Sequence, residues 1–140
     1  MNFLLRVVAL NTILLFTLQA QASDSDKQLE KKITGIWLSQ SEWVHKNYPN
    51  NPIKDEGKDD YGVDGVVRGI TISQYPKHKE SWKYESKWWI KDGYLHMEII
   101  KESLGVLKQG FQTKDKILSI SDKEMVLQAE DGMRLVRYRN

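Results

Sequence analysis

The stretch Trp82 to Lys101, WKYESKWWIKDGYLHMEIIK, constrains the fold more than any other part of the chain. It reads as two strands around Asp92-Gly93, a pair suited to a two-residue type I′ turn because both positions need φ > 0. The turn sets a register. Lys91 faces Tyr94, Ile90 faces Leu95, Trp89 faces His96, Trp88 faces Met97, Lys87 faces Glu98 and Ser86 faces Ile99. Side chains alternate along a strand, so one face collects Trp82, Tyr84, Ser86, Trp88, Ile90, Leu95, Met97 and Ile99. The other collects Lys83, Glu85, Lys87, Trp89, Lys91, Tyr94, His96 and Glu98. One face is apolar and one is wet, which predicts antiparallel sheet with a single core side.

The first residues have a different character. Met1 to Gln21 carries Arg6 as its only charge, then an apolar run from Val7 to Leu18, then Ala20-Gln21-Ala22. This is the layout of a secretory signal peptide over 1–22. The apolar run is shorter than the ~20 residues of a spanning helix. The expectation is an exported protein, periplasmic or secreted, starting at Ser23 and without a membrane span once the leader is removed. Residues 23–140 suit one domain. With no cysteine in the chain, thiol catalysis and thiolate metal sites are excluded, and burial must stabilise the domain without disulfides. Five Trp, six Tyr and three Phe supply much of that burial. The charge is nearly balanced, 21 basic against 19 acidic side chains, and no basic stripe marks a nucleic-acid surface.

Ser23 to Lys32 suits a short helix, with Leu29 and Ile33 four apart on one side. Ile33 to Val44 reads as the first strand, with Gly35, Trp37, Ser39, Ser41 and Trp43 on one face. His45 to Asp64 has no apolar period and reads as a long loop, with Asp55, Glu56, Asp59, Asp60 and Asp64 lacking the spacing of a calcium loop. Gly65 to Tyr75 is β-branched and alternates, so it is the second strand. Gly105 and Gly110 bracket a short possible strand, and Phe111 to Thr113 begins the next. Turns at Asp122-Lys123 and Asp131-Gly132 pair Ile120 with Met125, Leu118 with Leu127, Leu127 with Val136 and Met125 with Tyr138. The sum is an all-β, antiparallel up-and-down meander of seven or eight strands, closed into a barrel that removes its edges.

Gly35-Ile36-Trp37 after a short helix, a basic residue closing the last strand and a long first loop resemble the lipocalin-like (calycin) group, in particular its small bacterial exported domains. Ile33-Thr34-Gly35-x-Trp37 also looks like the start of avidins, another branch of that group. The threonine-aspartate-tyrosine signature and disulfide of typical lipocalins are missing from the sequence. The resemblance implies a barrel-closing pair of Trp37 with Arg139, or alternatively with Arg137.

Within such a barrel Trp82, Tyr84, Ser86, Trp88, Met97 and Ile99 are candidate walls of a pocket for a small apolar or aromatic ligand. The long loop, the Asp92-Gly93 turn and the Asp131-Gly132 turn are expected to share one rim, with Asn47 to Tyr61 as a lid. The competing expectation is that these large side chains fill the barrel. Trp89 and Tyr94 lie on the outer face, where exposed aromatics would serve an exported protein partner as an inhibitor or assembly module would. His45, His78 and His96 are far apart, and no histidine–acid pair is placed beside Ser39, Ser41 or Ser86. Neither catalysis, a metal nor a cofactor is expected.

Overall fold

The computed structural model describes residues 25–139. The leader expected over 1–22 lies outside the described residues. A helix, α1, spans 25–33. Eight strands follow in a closed antiparallel barrel, each paired with its sequence neighbours. They are β1 (Gly35–Trp43), β2 (Ile53–Tyr61), β3 (Val66–Gln74), β4 (Lys79–Lys91), β5 (Tyr94–Glu102), β6 (Gln112–Ile120), β7 (Glu124–Gln128) and β8 (Arg134–Tyr138). Among the described residues no helix is long and apolar enough to cross a membrane.

The β4–β5 hairpin has the register its turn dictates, from Lys91↔Tyr94 to Ser86↔Ile99. Asp92 and Gly93 take φ of 54° and 77°, as a type I′ turn requires. Beyond Ser86 a bulge inserts Ile100, so that Tyr84 pairs with Glu102.

Four expectations are corrected. The long loop contains a strand, β2, whose outward residues are charged and whose inward residues are Ile53, Asp55, Gly57, Asp59 and Tyr61. With polar groups on both faces it shows no apolar period. The possible strand between Gly105 and Gly110 is loop, and both glycines take positive φ. In the last sheet segment a bulge puts Ile117, not Leu118, opposite Leu127, and Leu118 is exposed. The β7–β8 connection runs through three residues, Glu130 to Gly132, closed by Ala129 N donating to Met133 O, 2.9 Å. Leu127 therefore faces Leu135, and Met125 faces Arg137 rather than Tyr138. Arg137 is turned inward by that one-residue difference.

The extra strand also moves the turns. The Asp92-Gly93 turn lies at the end of the barrel where α1 packs, because both backbone N–H groups donate to the Asp26 carboxylate (2.9 and 3.0 Å). It is opposite the β1–β2 connection, not on the same rim.

At the α1 end the interior is apolar. Ile33, Trp37, Tyr61, Val67, Trp88, Leu95, Met125 and Leu127 belong to one buried cluster, against which Leu29 also packs. Trp37 Nε1 donates to Ile33 O, 2.7 Å. The Arg139 guanidinium lies over the Trp37 ring, Cζ 4.0 Å from its centroid, and donates to the carbonyls of Lys32, Ile33 and Thr34 (3.0, 3.3 and 2.8 Å). A cation there satisfies the carbonyls that the helix end leaves unpaired. Gly35 takes φ 112°, a backbone conformation that side-chain-bearing residues rarely adopt, and a Cβ there would meet Arg139 Nη2 at an ordinary contact distance of 3.5 Å.

Candidate functional site

Above the apolar cluster the barrel changes character. Asp59 on β2, Gly69 on β3 and Tyr84 on β4 are neighbours in register and all face inward. A Cβ at position 69 would land on the Tyr84 ring, so glycine is needed for the ring to lie where it does. From there Tyr84 Oη donates to Asp59 Oδ1, 2.6 Å. Arg137 approaches from β8, its Nε 3.6 Å from Asp59 Oδ2, an ion pair slightly beyond hydrogen-bond reach. Asp115, inward on β6, is 9% exposed and makes no hydrogen bond or ion pair among the described residues. Ser86 Oγ and Thr113 Oγ1 are buried without a partner.

The electrostatics follow from burial. Asp59 is held above the ordinary carboxylate range by loss of water, against the pull of the Tyr84 hydroxyl and Arg137. Asp115 is raised for the same reason, opposed by Arg137 and reinforced by Glu130 and Asp131. Tyr61 and Tyr84 are pushed up by burial and by the Asp59 charge, so both remain protonated donors.

Toward the other rim the inward positions include Ser39, Ser41, Gly57, Thr71 and Ser73, small side chains that are half-buried or exposed, together with half-buried Asp55 and fully buried Ile53. Trp82 stacks on Tyr84 (4.7 Å, 25°) and, with Met97 and Leu135, forms the apolar part of this wall. One side of the wall is low. β7 and β8 have five residues each, against nine or more in the other strands. β6 pairs with β7 only from Lys116 onward, and β1 meets β8 at one position, Leu38↔Tyr138. The inward face of β6 before Lys116, with Thr113 and Asp115, therefore borders a notch.

The β5–β6 connection covers the mouth. Glu102 accepts from Trp82 Nε1 (2.7 Å), Leu104 N (2.9 Å) and Leu107 N (3.3 Å), and Leu107 packs on the core. The expected lid, Asn47 to Tyr61, is mostly β2. Its remainder joins a rim cluster in which His45 meets Trp43 and Tyr48, both of these meet Tyr75, and Tyr75 stacks on His78 (4.5 Å).

The six expected wall residues are split. Ser86, Trp88 and Ile99 are buried in the apolar end, with Trp88 Nε1 donating to Gly62 O, 3.0 Å. Tyr84 belongs to the polar cluster, Trp82 lies toward the mouth, and Met97, opposite Trp88, is half-buried against the core. Outside the barrel, a groove of about 660 Å³ runs over Lys58, Arg68, Lys83 and Lys101 on the outer face. Trp89 and Tyr94 are outward but half-covered: Trp89 stacks on His96 (5.2 Å), and Lys114 Nζ lies 4.4 Å over Tyr94.

Sequence reading missed Asp59, Asp115 and the inward Arg137. Asp59 stood in apparent loop and Asp115 in a stretch without period. One signal was present: Ile53 and Tyr61 share parity across IKDEGKDDY, so a strand placing both inward also turns Asp59 inward. Among the described residues no group of three or more His, Asp or Glu is arranged to hold a metal. No protein-family model matches this chain, and no curated protein matches it in sequence.

Proposed function

We propose that this chain is an exported protein of the lipocalin-like (calycin) group that takes a small molecule into the mouth half of its barrel, beneath the β5–β6 connection. The observation that carries the reading is the Asp59–Tyr84–Arg137–Asp115 cluster on the barrel interior. Buried ionisable groups cost stability unless they are paired, and apolar residues would fill that layer better. Convergent polar groups beside an apolar wall are the usual make-up of a small-molecule site. The ligand is amphiphilic: an apolar or aromatic body lies against Trp82, Met97 and Leu135, and its polar end meets the cluster. Ser86, Trp88 and Ile99 act beneath this floor rather than as walls. The proposed activity is binding, not turnover, since His45 and His78 sit at the rim and His96 on the outer face. A protein partner acting through Trp89 and Tyr94 is the alternative, which their stacking partners make less fitting.

The test is titration of the purified protein with the neutral dye N-phenyl-1-naphthylamine, followed by dye and tryptophan fluorescence. Saturable one-to-one binding is expected. Thr71→Trp, which places an indole in the mouth opposite Trp82, should weaken it at least about tenfold, roughly 1.4 kcal/mol, in a folded protein. A folded wild-type protein that binds no dye would remove this reading and return attention to the outer face.

A further inference from the structure

We infer that the ligand carries a cationic head, an ammonium or amidinium group, seated on Asp115 and Thr113 at the β6 side of the barrel mouth. This rests on the reading of the mouth half as a binding chamber. Charge counting leads to it. Arg137 is committed to Asp59, which the Tyr84 hydroxyl also satisfies. Asp115 is left over: 9% exposed, inward, and without a hydrogen bond or ion pair among the described residues. Two residues earlier on the same face, Thr113 Oγ1 is buried and also unpartnered.

The surroundings favour a cation. Glu130 and Asp131, on the β7–β8 connection, act on Asp115 with like charge. The lysines of β6, Lys114 and Lys116, alternate to the outer face, where Lys114 lies on the Tyr94 ring. Among the described residues, Arg137, already paired with Asp59, is the one cation that acts appreciably on Asp115. An ammonium has three donors and no acceptor, which matches a carboxylate and a hydroxyl that have none to receive from. A carboxylate-headed ligand such as a fatty acid would meet two acids and an occupied guanidinium. Desolvation that now raises Asp115 would be offset by the bound charge.

The experiment uses three ligands with one tail: octylamine, octanol and octanoate, each competed against N-phenyl-1-naphthylamine near neutral pH. Octylamine is expected to displace the dye at least about tenfold more tightly than the other two, the usual worth of a charge-assisted hydrogen bond. Asp115→Asn should remove that preference, so that octylamine and octanol then compete equally. Thr113→Val should reduce it a few-fold. If the dye binds but the three ligands compete equally, or octanoate competes best, the head-group inference is overturned and the binding reading stands. An octylamine preference that survives both substitutions overturns the seat on β6. Loss of all binding, dye included, by the folded wild-type protein overturns both readings.

Discussion

The two ends of this barrel are built on opposite principles. At the α1 end, large apolar side chains fill the interior, the helix plugs it, and most polar groups nearby have partners: Trp37 Nε1 on Ile33 O, Arg139 Nη2 on three carbonyls, Asp26 on the Asp92-Gly93 turn, with Ser86 Oγ and Arg139 Nε the exceptions among the described residues. At the other end most inward side chains are small or polar, with Ile53 a buried exception, two strands are short, and Asp115 and Thr113 Oγ1 lack a hydrogen-bond partner among the described residues. The difference teaches where stability and recognition are divided. Close packing with satisfied polar groups lowers the free energy of the fold, whereas an unpaired buried carboxylate raises it. On the proposed reading, the ligand is what completes that group.

The largest test of the contrast is at the filled end. Trp37→Ala should cost about 3–5 kcal/mol in urea unfolding, from lost transfer energy, the cavity and the uncovered guanidinium of Arg139. A loss below about 1 kcal/mol would mean that this end is not the stabilising half. Next is the boundary between halves. Gly69→Val should displace the Tyr84 ring, break its hydrogen bond to Asp59 and cost about 1–3 kcal/mol. Near-ultraviolet circular dichroism would register the lost Trp82–Tyr84 stack. An unchanged spectrum would place that ring elsewhere.

The smallest effect has the opposite sign. Asp59 and Asp115 both hold their protons more tightly folded than unfolded. Their contribution favours the fold below the ordinary carboxylate range and is lost as pH rises through the raised folded values. Asp115→Asn should therefore stabilise the protein at pH 7 by about 1 kcal/mol and gain less at pH 4. Comparing variant with wild type at each pH cancels acids shifted the other way, such as Asp64 and Glu98. A variant less stable than wild type at pH 7 would show that Asp115 is paired, and the two ends would differ less than described.

How much was legible varied with how each residue is constrained. Asp92-Gly93 demands a turn that few other pairs make, so the whole register of β4 and β5 followed, down to Lys87 beside Glu98 at 3.3 Å. Gly35-Ile36-Trp37 and the terminal Arg139 were readable by resemblance, and the geometry brings Trp37 and Arg139 together. β2 was illegible because a strand that lines a polar interior has no apolar face to alternate. Arg137 was hidden by one extra loop residue at Glu130 to Gly132, since a single-residue change of register exchanges the two faces of a strand.

Local chemistry thus specified an antiparallel barrel with one apolar sheet face, because turn conformation and alternation act over a few neighbouring residues. The polar floor was decided only by tertiary structure. Asp59, Tyr84, Asp115 and Arg137 come from four different strands, and none has a nearby sequence partner that reveals its role. Their meeting depends on strand count, on the β5 bulge beside Ser86 and on the short β7–β8 hairpin, which together set which side chains face inward and at what depth.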